Sequence, residues 1–260
     1  MQIFQLSADA RDLGRTYSTK LALVGDIRAS LRALLPLLTL KLADRREVYA
    51  ALRKAAEREQ DARRSQLKAA ADAEFDKPVT TPLVAGREMA RAIGPKVAIV
   101  DEAPATLGTL RAFLSTESTR QYSFARGALG WGMPAAVGFS LGIDRAPVVS
   151  IVGDGAALYS PQALWTAAHE RLPVTFVVIN NREYNILKKF MRSQPHYASV
   201  RANRFIAMDI IDPAIDFLAL AASMGLPARR IDRAADIAPA LEAAISSRVP
   251  NLIEIPVSPA

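Results

Sequence analysis

The sequence contains no cysteine and only two histidines, His169 and His196, among its 260 residues. The absence of cysteine excludes disulfides, thiolate nucleophiles, zinc ribbons and iron–sulfur clusters. Two histidines are too few for a histidine-rich metal site, and they make a Ser-His-Asp triad a poor candidate. Any catalysis must therefore use carboxylates, hydroxyls, lysines or a bound cofactor.

The sequence also lacks long apolar runs. The longest, such as 174–179, fall far short of the roughly 20 residues that span a bilayer. The first ten residues lack the basic start and apolar core of an export signal. These absences predict a cytoplasmic protein without membrane contact. The net charge of +7 fits either an anionic partner such as nucleic acid or a basic surface that binds nothing.

Before residue 78 the chain does not have the pattern of a complete domain. Residues 1–42 hold two short predicted strands and a predicted helix over 27–42, which either kinks or is broken at Pro36. We interpret this part as the end of a larger domain. Residues 43–77 are rich in alanine and charge, which predicts a solvated linker helix. A nucleic-acid-binding stripe is the alternative, but acidic residues interrupt the basic ones and no aromatic residues are interleaved.

From residue 78 to 260, apolar strands alternate with helices. The predicted strands are Lys96–Val100, Pro147–Val152, Val174–Ile179 and Leu252–Val257. The predicted helices are Pro82–Ala92, one that Ser160 caps and that runs to about Glu170, Asp216–Met224 and Ala234–Ser247. This alternation predicts an α/β domain with an open parallel sheet that helices cover on both faces.

Two polar motifs follow neighbouring predicted strands. Gly153-Asp154-Gly155 comes after one strand, and Asn180-Asn181 comes after the next. One helix and one strand separate them, which is the smallest right-handed crossover. Asp154 and Asn181 are therefore expected at the carboxyl ends of adjacent parallel strands, where open α/β sheets bind ligands. There they can share one metal ion, although each motif alone is more typical of a turn.

A third motif is the glycine-rich segment from Gly127 to Pro134. Leu129 lies within it, next to Gly130, and an apolar helix follows. A glycine-rich turn with one projecting apolar side chain suits a flat ligand. The alternative is a loop that enters the helix and packs on the sheet.

In order and spacing, the three motifs resemble the thiamine diphosphate-binding domain of the 2-oxo acid decarboxylase and acetohydroxyacid synthase superfamily. The signature of that family is Gly-Asp-Gly, an interval of this length, and Asn-Asn. Residues 157–168 are most similar to benzoylformate decarboxylases. The resemblance covers about Thr80 to the C-terminus, and residues 3–42 resemble the end of the family's central domain.

The resemblance implies a Mg²⁺ ion and a cofactor diphosphate at these motifs. It implies that the Asp154 side chain, the Asn181 side-chain oxygen and the Glu183 main-chain carbonyl bind Mg²⁺, with diphosphate oxygens and water completing an octahedron. It also implies backbone N–H groups that bind the phosphates, those of Gly155, Ala156 and Tyr184.

The resemblance further implies how the rest of the ligands are held. The Leu129 side chain would support the bent cofactor, and the Gly127 carbonyl would accept a hydrogen bond from its 4′-amino group. The helix after Asn-Asn would contribute to the binding of the 2-oxo acid through Ile186, Leu187 and Phe190. For these three side chains, core packing of an amphipathic helix is the alternative.

The sequence departs from the family in two places. Residues 102–106 keep a hydroxyl only at Thr106, where related enzymes often use Ser or Thr to contact the phosphates. The pyrimidine-binding domain, which supplies the activating glutamate, has no counterpart in the sequence. We therefore expect no catalytic residue from this chain itself.

Together these features predict the cofactor-binding part of a thiamine diphosphate-dependent 2-oxo acid decarboxylase. Another chain would supply the pyrimidine-binding domain in a homo- or hetero-oligomer, and no nucleic acid is expected as a partner. The alternatives are an acetolactate synthase-like carboligase and a non-catalytic cofactor-binding fragment.

Overall fold

The structure, a computed structural model, describes residues 2–114, 122–124 and 128–259. Its contacts divide the chain into two compact units, residues 1–63 and 64–260. The boundary between them falls inside one long helix. The three predicted parts, 1–42, 43–77 and 78–260, therefore remain a prediction about domain organisation.

The first unit contains two parallel strands and one complete helix. The strands are β1 (Phe4–Ser7) and β2 (Leu21–Val24), and the helices are α1 (Ile27–Lys41) and the start of α2 (Arg46–Ala73). The side chain of Asp26 caps α1 by accepting a hydrogen bond from the Ala29 N–H at 2.7 Å. Helix α1 continues through Pro36, so the alternative that the helix is broken there is wrong.

The second unit is built on a six-stranded sheet in which every pairing is parallel. The strands are β3 (Ala98–Glu102), β4 (Tyr122–Phe124), β5 (Val148–Gly153), β6 (Val174–Asn180), β7 (Ala228–Arg230) and β8 (Asn251–Pro256). Their order across the sheet is β4-β3-β5-β6-β8-β7. The predicted open parallel sheet is confirmed, and the short strands β4 and β7 are additions that the sequence pattern did not indicate.

Helices cover both faces of this sheet. They are α3 (Pro82–Ala92), α4 (Leu107–Phe113), α5 (Gly132–Gly142), α6 (Asp154–Ala157), α7 (Gln162–His169), α8 (Asn185–Arg192), α9 (Ala198–Arg201), α10 (Phe217–Ser223) and α11 (Ala234–Ser246). None of the helices in the described ranges is long and apolar enough to cross a membrane.

The apolar core lies in two layers, one on each side of the sheet. Along β6, Phe176 and Val178 belong to one buried cluster, whereas Val177 and Ile179 belong to the other. A strand that is buried on both faces favours apolar residues at most positions, which explains the four consecutive apolar residues 176–179 of β6, although the polar Thr175 is also buried there.

The prediction that Ser160 caps a helix is wrong. Helix α7 begins at Gln162, and Pro161 occupies the capping position without a side-chain hydrogen bond. The Ser160 hydroxyl instead donates to the Gly130 carbonyl at 2.7 Å. This hydrogen bond joins the segment before α7 to the glycine-rich loop, and no side chain caps α7.

Candidate functional site

The carboxyl ends of β3, β5 and β6 meet at one edge of the sheet. The register pairs Glu102 with Val152 and Gly153 with Ile179, so the residues after these strands are neighbours. They line a cleft formed by residues 103–106, 153–156 and 183–186 together with Leu129, Ile179 and Asn181. The structure thus brings together most of the site residues that the sequence predicts.

Among the buried groups at this edge is the carboxylate of Asp154, which is 3% exposed. Its Oδ1 accepts a hydrogen bond from the Gly155 N–H at 2.8 Å, and its Oδ2 accepts one from the Arg182 N–H at 2.6 Å. Burial raises the pKa of Asp154 to about 6, although the hydrogen bonds from backbone amides oppose that shift. A buried carboxylate with a raised pKa is a group that a bound cation would stabilise.

The two asparagines after β6 have different contacts. The Asn180 Nδ2 donates to Glu254 Oε1 at 2.7 Å, which fixes the end of β6 against β8. The Asn181 Oδ1 accepts from the Glu183 N–H at 3.0 Å and so shapes a tight turn. Within that turn Arg182 has a φ of 60°, and its N–H also contacts Asn180 Oδ1 at 3.1 Å. Hydrogen bonds to the side chains of both asparagines therefore stabilise this turn.

The Glu183 backbone pairs with Asp209 in an isolated antiparallel bridge. The flanking hydrogen bonds run from Tyr184 N–H to the Met208 carbonyl at 2.9 Å and from Ile210 N–H to the Arg182 carbonyl at 2.8 Å. In such a pair the central residue directs its own N–H and C=O away from the partner strand. The Glu183 N–H accordingly donates to Asn181 Oδ1 and not across the bridge, and the role of the Glu183 carbonyl at Mg²⁺ remains a prediction.

Two of the backbone N–H groups that are predicted to bind the phosphates already donate to other acceptors in this structure. The Tyr184 N–H donates to the Met208 carbonyl, and the Gly155 N–H donates to Asp154 Oδ1. Ala156 is buried in the first turn of α6 and lines the cleft. The phosphate roles of these three amides remain predictions, and a contact from Tyr184 would require a change in the bridge.

The donor set at this edge suits a hard cation. The described residues contain no group of three or more His, Cys, Asp or Glu side chains placed to hold a metal. One carboxylate, one amide oxygen and one main-chain carbonyl nevertheless provide the oxygen ligands that Mg²⁺ prefers. Mg²⁺ usually binds with further oxygens from a phosphate substrate and water, so a partial protein shell fits a metal that arrives with a diphosphate.

The side chain of Glu183 takes part in a neighbouring ion-pair group. Lys188 contacts the carboxylates of both Glu183 and Asp209. Burial lowers the pKa of Lys188, but the hydrogen bonds that Lys188 donates to Asp209 and Glu183 outweigh it and raise that pKa overall. The lysine is therefore held as a buried cation next to the 181–183 turn.

Glycine is required at position 155 because the cleft is narrow there. A Cβ atom on Gly155 would lie 2.6 Å from Cε1 and 2.9 Å from Cδ1 of the Tyr184 ring. Both residues line the cleft. The aromatic ring thus packs directly against the backbone of the Gly-Asp-Gly motif.

We expect Gly155→Ala to displace the Tyr184 ring and to destabilise the chain by about 1–3 kcal/mol. Gly138→Ala is the matched control, because Gly138 is also helical but a Cβ there meets no atom within 4 Å. Alanine at that exposed helical position should stabilise by roughly 0.5–1 kcal/mol. Urea denaturation of both variants checks the prediction. Equal free energies of unfolding would contradict it and show that the Tyr184 ring can move away from a Cβ at position 155 without loss of stability.

Glu102, at the end of β3, is a site residue that the sequence analysis missed. It is 5% exposed, and its carboxyl oxygens accept hydrogen bonds from the N–H groups of Gly130 at 2.5 Å, Trp131 at 3.2 Å and Gly132. It therefore holds the loop that presents Leu129 to the cleft. The signal for Glu102 in the sequence is an acidic residue at the end of a buried apolar strand.

Leu129 lines the cleft and is 47% exposed. It is available to a ligand, as the sequence predicts. The Gly127 carbonyl, predicted to accept a hydrogen bond from the cofactor, lies outside the described residues.

The three predicted substrate residues lie on the outer face of α8. Ile186, Leu187 and Phe190 are all exposed, so their alternative role in core packing is wrong. Ile186 lines the cleft itself. Contact of the three with substrate remains a prediction.

Comparison with known protein families gives a match over most of this second unit. Residues 105–255 match the family described as "Thiamine pyrophosphate enzyme, C-terminal TPP binding domain". This region includes Asp154, Asn181 and most of the residues that line the cleft.

Curated relatives carry two different activities in their names. The protein named "Putative acetolactate synthase large subunit IlvX" from Mycobacterium tuberculosis is 34% identical over 67% of this chain and 34% of its own length. Benzoylformate decarboxylase from Pseudomonas aeruginosa is 34% identical over 64% of this chain and 30% of its own length. The chain thus spans about a third of the length of these relatives.

Solved structures show the same likeness. The thiamine diphosphate-dependent 4-hydroxybenzoylformate decarboxylase of Rhodococcus jostii superposes with a TM-score of 0.62 and 28% identity, over 70% of this chain and 33% of that one. Benzoylformate decarboxylase from Polynucleobacter necessarius superposes with a TM-score of 0.60 and 25% identity, over 69% of this chain and 33% of that one. The chain therefore belongs to the thiamine pyrophosphate enzyme family and contains its C-terminal cofactor-binding domain.

Proposed function

We propose that the chain binds thiamine diphosphate together with Mg²⁺ and is the cofactor-binding part of a benzoylformate decarboxylase-like 2-oxo acid decarboxylase. The observation that supports this most is the buried carboxylate of Asp154, whose pKa is raised to about 6 beside the oxygens of the 181–183 turn. A cation at that point would offset the burial of the charge.

Each part of the cleft has a distinct task in this proposal. Asp154, the Asn181 side-chain oxygen and the Glu183 carbonyl would hold Mg²⁺, and the N-terminal turn of α6 would face the diphosphate. Leu129 would support the organic part of the cofactor, and Ile186 would lie beside the substrate. When bound, thiamine diphosphate supplies the nucleophilic carbon and the electron sink that loss of carbon dioxide from a 2-oxo acid requires.

The remaining requirement is a group that activates the cofactor. The carboxyl groups of the cleft region already have other contacts: Asp154 lies in the Gly-Asp-Gly turn and Glu102 binds three backbone amides. We therefore propose that the activating glutamate comes from a pyrimidine-binding domain on another chain, within an oligomer. The alternative, an acetolactate synthase-like carboligase, is supported by the 34% identity to a protein of that name.

Carbon dioxide release tests the proposal. The chain, thiamine diphosphate and Mg²⁺ would be assayed with benzoylformate and with pyruvate, alone and after mixing with separately produced pyrimidine-binding domains of the two curated relatives. We expect no turnover alone and decarboxylation of benzoylformate in a mixture. Acetolactate formed from pyruvate would favour the carboligase, and cofactor binding without turnover in every mixture would favour a non-catalytic role.

A further inference from the structure

Helix α8 reverses the usual arrangement of a surface helix. The side chain of Lys188 is 7% exposed, whereas Phe190 on the same helix is 60% exposed. Surface helices normally bury their apolar side chains and expose their charged ones. An ammonium group is costly to bury unless it is paired, so the partners of Lys188 must account for the orientation of α8.

Those partners lie on two separate segments of the chain. The Lys188 Nζ contacts Glu183 Oε2 in the 181–183 turn. It also contacts Asp209 Oδ1, at 2.5 Å, in the facing segment, residues 208–210. The backbones of Glu183 and Asp209 are themselves paired in the antiparallel bridge. One ammonium group therefore joins three pieces of structure: the turn, the facing segment and α8.

The bridge places two carboxylates opposite each other, and the ammonium group of Lys188 offsets their repulsion. Residues directly opposite each other in an antiparallel pair have Cβ atoms only about 4.5–5.5 Å apart, and like charges at that separation destabilise the pairing. Glu183 and Asp209 occupy such positions; the Glu183 side chain is only 10% exposed, whereas that of Asp209 is 51% exposed. Without Lys188 the two carboxylates would repel each other across the bridge.

We propose that Lys188 is a positioning residue that keeps the Glu183 main-chain carbonyl in place at the metal site. By neutralising both carboxylates it holds residues 181–184 against residues 208–210. It also fixes α8 with its apolar face outward, next to the cleft. The metal-binding part of this role rests on the proposed function, whereas the structural part does not.

Two measurements on the full chain test this role. The first is hydrogen exchange of the Tyr184 and Ile210 amides without ligand, since both donate across the bridge. The second is the affinity for thiamine diphosphate and Mg²⁺ by calorimetry. We expect Lys188→Met to speed exchange of both amides at least tenfold and to weaken the affinity by about 10–100-fold.

A triple variant separates charge from packing. Adding Glu183→Gln and Asp209→Asn to Lys188→Met removes the repulsion and keeps the Glu183 main-chain carbonyl. We expect slow exchange and affinity to return toward the values of the parent chain. Lys189→Met changes the same residue type one position further along α8, and it should leave both measurements unchanged.

The outcomes distinguish the two proposals. Parent-like exchange and affinity in Lys188→Met would overturn the positioning role and leave the proposed function intact. Fast exchange that the triple variant does not correct would overturn it as well, because the lysine would then act through packing alone. A parent chain that binds no cofactor would overturn the proposed function, and the exchange data would still decide the role of Lys188 in the bridge.

Discussion

Replacing Asp154 with asparagine is expected to make the ligand-free chain more stable while abolishing Mg²⁺-dependent binding of thiamine diphosphate. The native carboxylate is buried, and its pKa of about 6 lies well above the ordinary 3.8. A shift of this size corresponds to about 3 kcal/mol of destabilisation when the group is charged. Asparagine removes that charge but supplies no carboxylate to the metal.

The gain in stability should depend on pH in a defined window. Well below pH 3.8 the carboxyl is protonated in both the folded and the unfolded chain, so Asp154 does not penalise folding. As the pH rises from about 4 to about 6, the unfolded chain ionises first, and the folded chain loses up to about 3 kcal/mol of stability. Well above pH 6 the loss is complete and constant.

The measurement is the free energy of unfolding of Asp154→Asn minus that of the parent chain, from urea titrations between pH 4 and pH 8. Asparagine cannot accept both amide hydrogen bonds, but that loss is the same at every pH. The difference should therefore rise by about 3 kcal/mol toward pH 7. Asp144→Asn, at an exposed turn residue, is the control. A flat difference across the range, or unchanged cofactor affinity, would contradict the role of Asp154.

Replacing Glu102 with alanine is expected to cause the largest loss of stability among single changes at this edge. Its carboxyl group accepts hydrogen bonds from three successive backbone amides, those of Gly130, Trp131 and Gly132. Removing it leaves these donors without their acceptor at the start of α5. At about 1–3 kcal/mol for each unsatisfied buried group, with partial compensation by water, a total of about 3–5 kcal/mol is reasonable.

The same change should weaken cofactor binding, because the loop that carries Leu129 loses its anchor. Glu102→Gln retains one acceptor oxygen and should lie between alanine and the parent chain in both properties. Urea denaturation and calorimetry provide the two measurements, and Glu242→Ala on the exposed face of α11 is the control. Stability of Glu102→Ala within about 1 kcal/mol of the parent chain would show that these amides find other acceptors.

The architecture could be predicted from sequence because it depends on local patterns. The strand β6 contains four consecutive apolar residues, 176–179, and Asn180-Asn181 follow them, so both its burial and the approximate position of its end were evident. The crossover between β5 and β6 placed Asp154 beside Asn181 for the same reason. The short edge strands β4 and β7 lack such runs, and only their pairing with neighbouring strands defines them.

The contacts that hold the site together could not be predicted in this way. Glu102 binds amides about thirty residues away, and Lys188 turns inward for Asp209, which lies 21 positions further along. Both interactions run between loops whose approach depends on the whole fold. The family resemblance assigned Ile186, Leu187 and Phe190 to substrate binding, but the sequence could not tell which side of α8 is buried.

Calorimetry of thiamine diphosphate binding to the parent chain tests the central claim most directly. The titration would be made once with excess Mg²⁺ and once with the metal removed by a chelator. The arrangement of Asp154, Asn181 and Glu183 predicts saturable binding of one cofactor per chain with Mg²⁺ and little or none without it. Equal binding in the two titrations, or no binding in either, would contradict a Mg²⁺-dependent cofactor site at this edge of the sheet.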